Sequence, residues 1–199
     1  MSRIKVFSHE SESASTTLLF RVRNSDAEAW QRFTSLYSPW IYAIARRAGL
    51  GENDAADISQ EVFMTAAIRI DSFRRDQPGQ SMRLWLAQIT RNKIGDWFRT
   101  HSKLPKVTGV NDAQLENWYN HQDDESSVAE DRTLVQRAID IIRSDFNETT
   151  WRCFYAMVVE NRSAPDITDE FSMAPKAVRQ AKYRVLRRLR EEFDGLIDI

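Results

Sequence analysis

The amino-acid sequence predicts an all-α fold of two small helical domains joined by an acidic linker, the C-terminal domain with a helix-turn-helix. Apolar residues recur every three or four positions in residues 16–103 and again in residues 128–199. Between them, over residues 104–127, the periodicity stops and acidic side chains accumulate. Near the C-terminal end, a short helical pattern, a tight turn and a long helical pattern follow one another, which is the helix-turn-helix outline.

The first helix of the N-terminal domain follows a Ser- and Glu-rich stretch, residues 1–15, which is expected to be a disordered tail. Ser25 to Glu28 has the pattern of a capping box, and helically spaced apolar residues follow it. They are Trp30, Phe33, Tyr37, Trp40, Ile41, Ile44 and Ala48. Pro39 predicts a kink or a restart within this helix, and Gly49-Leu50-Gly51 ends it.

The second helix begins after Asn53-Asp54, and its two faces differ in character. One face is apolar and is predicted to be core, with Ile58, Val62, Thr65 and Ala66, widened by Phe63, Ala67 and Ile70. The opposite face carries Asp57, Gln60, Glu61, Met64 and Ile68. Because a merely solvated face would not present Met and Ile among carboxylates, this face is expected to bind a basic protein partner.

The third helix follows a turn at Asp76-Gln77-Pro78-Gly79. Apolar residues recur along one stripe of this helix from Met82 to Trp97. A polar stripe runs beside the apolar one, with Gly95 allowing close approach; it consists of Gln88, Arg91, Asn92 and Arg99. Guanidinium and amide groups contact base edges and phosphates, and aromatic rings such as those of Trp97 and Phe98 can stack on unpaired bases. The stripe is therefore predicted to bind nucleic acid.

These residues resemble the second domain of bacterial RNA polymerase sigma factors of the extracytoplasmic-function group. The resemblance lies in the ordered string D-x-x-Q-E-x-F from Asp57, F-R at Phe73, and W-L-x-x-I-x-x-N-x-x-x-D from Trp85. Several fixed positions in order make this a specific signal. The pattern A-W-x-R-F-x-x-L-Y-x-P at Ala29 to Pro39 extends it.

The acidic linker, residues 104–127, contains Pro105, Gly109 and five carboxylates against Lys106 alone; the carboxylates are Asp112, Glu116, Asp123, Asp124 and Glu125. Taken by itself it is a solvated linker. The sigma resemblance implies instead an acidic segment that threads a basic polymerase channel.

The C-terminal domain is predicted to open with a capping box at Ser127 to Glu130 and to end with a long helix after Pro175. The outer face of that helix is polar and basic, with Lys176, Arg179, Gln180, Tyr183, Arg187 and Arg190. Lys176, Arg179 and Gln180 are the residue types that contact guanine and adenine edges. Arg184, Arg187 and Arg188 are expected to hold phosphates.

This half is similar to the fourth, promoter-recognising domain of sigma factors, on Met173, Pro175 and the run from Arg184 to Glu191. It departs from that pattern at three positions. Thr168 and Ser172 replace the usual Ala and Gly, so Ser172 is expected to carry strain where Gly would tolerate φ > 0. Ala174 replaces the usual Ser and lacks an N-capping side chain worth about 1 kcal/mol.

Composition excludes several classes of function. The three histidines, His9, His101 and His121, have no metal-ligand spacing, and the one cysteine, Cys153, is expected to pack in a core. No cofactor, metal, catalytic group, signal peptide or membrane segment is expected, so a cytoplasmic protein is predicted. Because Lys+Arg 28 against Asp+Glu 29 gives a net charge of -1, the location of charge must matter more than its total for any contact with DNA.

The resemblance implies a sigma factor, which is not an enzyme but directs core RNA polymerase to promoters. It assigns Asp57, Gln60, Glu61 and Met64 to the β′ clamp helices, and Gln88, Arg91, Asn92 and Arg99 to the separated -10 strand. It assigns the -35 element to the last helix and implies the β flap as a further contact and an anti-sigma factor as a further partner. The -35 residues are Lys176, Arg179, Gln180, Tyr183, Arg184 and Arg187. The alternatives are a stand-alone helix-turn-helix regulator and an all-α adaptor; a small enzyme ranks last.

Overall fold

The computed structural model describes residues 17–74, 81–101 and 124–197, with the side chains of residues 124–131 and 169 left out. Within these ranges the chain is helical and contains no strand, which confirms the all-α prediction. The α-helices are α1 Leu18–Arg23, α2 Ala27–Arg47, α3 Glu52–Arg69, α4 Met82–His101, α5 Asp124–Ile142, α6 Glu148–Val158, α7 Ala164–Phe171 and α8 Pro175–Phe193. The predicted tail, the turn at residues 76–79 and most of the linker lie outside the described residues.

Side-chain caps begin four of the described helices, α1, α2, α6 and α7. Asp26, rather than Ser25, is the N-cap of α2, since its carboxylate accepts a hydrogen bond from the Ala29 amide at 3.0 Å. Ser163 and Asp166 form a full capping box at the start of α7. The pattern at Ser127 is not a cap, because α5 already begins at Asp124.

Pro39 does not divide α2, which runs unbroken from Ala27 to Arg47. The predicted restart is therefore wrong. Pro39 and Ser35, one turn earlier, both lie on the exposed side of the helix, where water can bond the carbonyl group that proline leaves without its usual donor. The neighbouring buried residues Tyr37 and Trp40 anchor both halves of the helix in the core.

In the N-terminal unit, α1 to α4, helix α2 packs against α1, α3 and α4, and α3 packs against α4. The predicted apolar face of α3 is buried at Ile58, Val62 and Ala66, whereas Ala67, which was expected on that side, is exposed. In the C-terminal unit, α5 to α8, helix α8 packs against α5, α6 and α7. A separate small core under α7 and the start of α8 contains Cys153, Ala156, Ala164, Ile167, Val178 and Ala181.

The two units share the larger part of their core, whereas two small domains predict two separate cores. Helix α5 packs on α2, and α8 reaches α1. Buried residues of the C-terminal unit join the N-terminal cluster; they are Leu134, Ala138, Ile139, Ile142, Trp151, Phe154, Val185, Leu189, Phe193 and Leu196. The buried Tyr37 hydroxyl donates a hydrogen bond of 2.5 Å to the Leu196 carbonyl. The region around α7 alone keeps a core of its own.

Candidate protein and nucleic-acid interfaces

The outward face of α3 is a mixed acidic and apolar surface, as the sequence predicts. Asp57, Gln60 and Glu61 are exposed. Between them, Met64 is 68% exposed and Ile68 is 84% exposed, the latter being unusually open for a large aliphatic side chain. The face exists because the buried residues of α3 repeat at helical spacing and turn these five side chains outward. We name Asp57, Gln60, Glu61, Met64 and Ile68 the α3 patch.

Two polar contacts tie the α3 patch to α4. The Lys93 ammonium group lies 3.0 Å from a carboxylate oxygen of Glu61. One turn before the patch, the Trp97 indole donates a hydrogen bond of 3.3 Å to Asp54. Because both contacts join the same two helices, the α3 patch and the polar face of α4 have a fixed relative position.

The four predicted nucleic-acid residues of α4 lie on one side of the helix. Gln88, Asn92 and Arg99 are exposed, and Arg91 is half-buried. The Gln88 amide donates to Asn92 at 3.1 Å, and Arg91 donates to the Gln88 carbonyl oxygen at 3.4 Å. Arg99 forms an ion pair with Asp96. These bonds orient polar groups that remain accessible, so the stripe is ordered in advance of any ligand.

The aromatic residues and the glycine at the end of α4 differ in part from expectation. The His101 ring stacks on Trp97 with centroids 4.5 Å apart, so one face of the indole is already occupied. Phe98 meets Trp97 edge to face at 5.0 Å. At Gly95, an added Cβ would lie 3.9 Å from the Arg99 guanidinium group, an ordinary contact. Packing within the described residues therefore does not require a glycine there.

The basic face of α8 is open along its first two thirds. Lys176, Arg179, Gln180 and Arg184 are exposed, and Tyr183 is 64% exposed. Arg187 is exposed but bonds Glu191 at 2.6 Å, which raises the pKa of Arg187. We name these six residues the α8 face.

Arg188 does not join the α8 face, although it was expected to hold phosphates. It is half-buried, and its guanidinium group lies 2.9 Å from Asp145 and 2.6 Å from Glu192. A guanidinium group held by two carboxylates contributes little to phosphate binding, because that binding would first have to break both ion pairs. The structure therefore does not favour Arg188 as a phosphate ligand.

The turn before α8 has the two features that its sequence predicts. Ser172 adopts φ +50° and ψ 39°, the left-handed region in which glycine is preferred. Ala174 is the N-cap of α8 and gives no side-chain cap. Thr168 fits within α7 because its hydroxyl donates to the Ala164 carbonyl at 2.8 Å.

Cys153 is buried, as predicted, with its sulfur 3.7 Å from that of Met173. Burial raises the pKa of this thiol, which keeps it protonated and unreactive. Over the part of the chain that the structure describes, no group of three His, Cys, Asp or Glu residues could hold a metal ion. Nor do the described helices include one of the length and apolarity that a bilayer crossing needs.

Sequence reasoning missed an ion-pair cluster between the two units, formed by Arg21, Arg32, Asp145, Arg188 and Glu192. We name these five residues the bridging cluster. The only signal of it in the sequence is the i,i+4 spacing of Arg188 and Glu192, which predicts a local pair but no contact with α2. Its other members are far apart in the chain.

Comparison with known proteins gives a consistent result. The family described as Sigma-70 region 2 matches residues 33–104. The ECF RNA polymerase sigma factor BldN of Streptomyces coelicolor is 27% identical over 175 residues, covering 86% of this chain and 63% of BldN. The RNA polymerase sigma factor CnrH of Cupriavidus metallidurans is 28% identical over 88 residues, 44% of each chain. The chain therefore spans less than two thirds of the length of these relatives.

Among solved structures, the chain is similar to one in the 1.8 Å structure of the RsbN-BldN complex. The match is 22% identical and has a TM-score of 0.36. It covers 86% of this chain and 96% of the other.

Proposed function

We propose that this chain is an RNA polymerase sigma factor of the extracytoplasmic-function group, because residues 33–104 match Sigma-70 region 2 and two sigma factors are similar to it. In this role it directs core polymerase to specific promoters and aids the opening of DNA for initiation. The α3 patch carries the proposal, because it lies within the matched region and combines carboxylates with exposed Met64 and Ile68. This combination suits a basic protein surface with apolar pockets.

The α3 patch would bind the β′ clamp helices of core polymerase. Asp57 and Glu61 would pair with basic residues of the partner, and Gln60 would add hydrogen bonds. Met64 is suited to fill an apolar pocket, because its unbranched thioether side chain adapts to irregular surfaces. The adjacent Ile68 would extend the apolar contact.

The polar face of α4 would bind the separated -10 strand. Gln88 and Asn92 offer amide groups to base edges, and Arg91 and Arg99 offer guanidinium groups to bases or phosphates. Such a strand is captured without ATP, since binding of flipped bases offsets an unstacking cost of a few kcal/mol per step. The contacts between α4 and the α3 patch would hold this face at a fixed position relative to the bound polymerase.

The α8 face would read the -35 element. Lys176, Arg179 and Gln180 lie in the first turns of the helix, where a recognition helix enters the major groove. Arg184 and Arg187 would hold phosphates on either side, with Tyr183 between them. The C-terminal unit would also contact the β flap, and an anti-sigma factor is a further expected partner. The proposed place of action is the cytoplasm.

Charge reversal in the α3 patch tests this proposal. We expect Asp57→Lys with Glu61→Lys to abolish co-purification with core polymerase and run-off transcription, because two attractive pairs become repulsive. The matched control is Glu52→Lys with Asp71→Lys, which changes the same charge at exposed positions of the same unit. Both proteins should keep the wild-type circular dichroism spectrum. A patch variant that still co-purifies with polymerase would contradict the assignment.

A stand-alone helix-turn-helix regulator is not favoured, because it leaves the α3 patch without a role. It predicts a dimer and a footprint on an operator without polymerase. The proposed sigma factor predicts a footprint that requires core polymerase.

A further inference from the structure

Two arginines from different parts of the N-terminal unit converge on one backbone carbonyl group. The Arg23 guanidinium, at the end of α1, donates a hydrogen bond of 2.7 Å to the carbonyl oxygen of Phe73. The Arg74 guanidinium donates to the same oxygen at 3.2 Å, and to the Asp71 carbonyl oxygen at 2.5 Å. Two positive charges therefore lie beside one carbonyl group, just after the short 3-10 turn that follows α3. We name Arg23 and Arg74 the arginine pair.

The described part of the chain provides no carboxylate partner for the arginine pair. None of its ion pairs includes Arg23 or Arg74, whereas Arg32 is held by carboxylates. The enclosed Nε of Arg23 also has no hydrogen-bond partner among the described residues, so one of its donors is unused. Since two guanidinium groups close together repel each other, an anion that contacts both would be stabilised.

Packing fixes the position of the arginine pair while leaving it accessible. Phe73 is 2% exposed, and its ring lies 5.6 Å from the Trp85 ring of α4. Arg23 is half-buried and follows Val22, which belongs to the same core. Arg74 is exposed, so the pair is open to a ligand on one side and supported by the core on the other. Donors that are held in place before binding lose less entropy when a ligand arrives.

The arginine pair lies at one end of the polar stripe of α4. Trp85, Asn92 and Arg99 follow one another at intervals of about two helical turns, so they lie on one side of the helix, and Gln88 lies between the first two. The distance along the axis from Arg99 to Trp85 is about 21 Å, at about 1.5 Å per residue. Trp85 contacts Phe73, whose carbonyl group holds the arginine pair. A strand that follows the stripe towards the start of α4 therefore reaches these two arginines.

Resting on the proposed function, we propose that the arginine pair binds a phosphate group of the separated -10 strand, beyond the contacts made by the stripe itself. Guanidinium groups present paired N–H donors that match phosphate oxygens, and a strand along α4 brings its phosphodiester backbone to this position. Because a phosphate contact carries no sequence information, the site fixes the position of the strand and does not read its bases. Gln88 and Asn92 then meet base edges in a defined register.

A purely structural role for the arginine pair makes a different prediction. If Arg23 only fastens α1 to the segment after α3, its loss lowers stability and weakens the capture of every strand alike. A phosphate site instead makes binding depend on one particular phosphate of the strand. The family match begins at residue 33, so α1 and Arg23 lie outside it, and the match assigns no role to them.

The test measures how core polymerase carrying the full chain captures a single DNA strand. The probe is a short fluorescein-labelled strand from the nontemplate side of a promoter that this holoenzyme transcribes, and fluorescence anisotropy gives its affinity. A methylphosphonate scan replaces each charged phosphate of the probe in turn with a neutral group. The variant is Arg23→Gln with Arg74→Gln.

The matched control is Arg46→Gln. Like Arg74, Arg46 is exposed and bonds a backbone carbonyl group, that of Leu50, at 2.8 Å. It lies just before the start of α3, whereas the arginine pair lies beyond the other end of that helix, about 27 Å away along its axis. The control thus removes the same kind of charge from the same unit at a distance from the proposed site.

In the wild type, we expect one methylphosphonate position to weaken binding about tenfold, because a charge-assisted contact is lost. In the double variant, the same position should have no effect, and binding of the unmodified probe should be about tenfold weaker. The slope of log affinity against log salt concentration should become shallower by about 0.7, the value for one phosphate of a single strand. The control should match the wild type in all three measurements.

The outcomes separate this proposal from the proposed function. If the wild type captures the strand but every methylphosphonate effect persists unchanged in the double variant, the phosphate site is overturned and the proposed function stands. If the wild type forms no holoenzyme that captures a strand, both are overturned. Should the double variant lose helical structure by circular dichroism, Arg74→Gln alone replaces it, since Arg74 is exposed. A reduced methylphosphonate effect in Arg74→Gln supports the site, and an unchanged effect overturns it.

Discussion

Ser172 is expected to limit the stability of the helical turn that precedes α8. It adopts φ +50°, whereas Gly49 and Gly195 occupy other left-handed positions at φ +93° and +81°. Its side chain is exposed. Its backbone amide donates a hydrogen bond to the Thr168 carbonyl and so caps the C-terminal end of α7. We predict that Ser172→Gly stabilises the protein, since glycine can keep the same backbone hydrogen bond without the penalty of a Cβ atom.

The magnitude follows from two opposing terms. A residue with a Cβ atom pays about 1–2 kcal/mol to adopt the left-handed conformation. Glycine also increases the conformational entropy of the unfolded chain, which lowers the stability of the folded state by about 0.4–1 kcal/mol. The net increase in the free energy of unfolding is about 0.5–1 kcal/mol. For a chain of this size, that corresponds to a rise in Tm of about 1–4 °C.

Thermal unfolding followed by circular dichroism measures the difference. Ser172→Ala is the matched control, because it removes the hydroxyl but keeps the Cβ atom, and it should leave Tm unchanged. Gly49→Ala is the converse change: nothing lies within 4 Å of the added Cβ, so its expected loss of about 1 kcal/mol would come from the backbone alone. A Ser172→Gly protein no more stable than Ser172→Ala would refute the reasoning.

Three further predictions concern charge. Because the pKa of Asp145 is lowered from 3.8, its contribution to the free energy of unfolding should be complete above about pH 5 and lost as the pH falls through the lowered pKa. Free energies of unfolding measured from pH 7 downwards should show this loss in the wild type, and Asp145→Asn should lack that component. In the α8 face, Arg179→Ala should cost about 1–3 kcal/mol and relax specificity at one position of the -35 element. Arg184→Ala should instead weaken holoenzyme binding to all promoters, and should reduce by about 1 the slope of log affinity against log salt concentration. If the two variants changed sequence specificity equally, these roles would be contradicted.

Local patterns predicted the helices and their exposed faces well. The helical repeat fixes the direction of each side chain relative to the others. The outward positions of Asp57 and Met64 therefore followed from the buried positions of Ile58 and Val62. The strain at Ser172 could also be predicted, because the short connection between two helices needs a left-handed residue. In each case the cause lies within a few residues of its effect.

The interface between the units could not be predicted in this way. Arg32 and Asp145 are separated by 113 positions, and Arg32 and Glu192 by 160. No periodicity connects residues so far apart, and Arg188 had every local feature of a phosphate ligand. Its partners became evident only from the packing of α8 near α1 and α2.

The buried thiol of Cys153 can report how often the C-terminal unit opens locally. A thiol-specific reagent can reach this sulfur only when the small core beneath α7 and α8 opens, since the side chain is enclosed there beside Met173. The rate of modification under native conditions therefore reports the local opening of the turn and the helix that follows it, separately from the larger core. The same protection leaves an introduced surface cysteine as the group that a maleimide dye would label first.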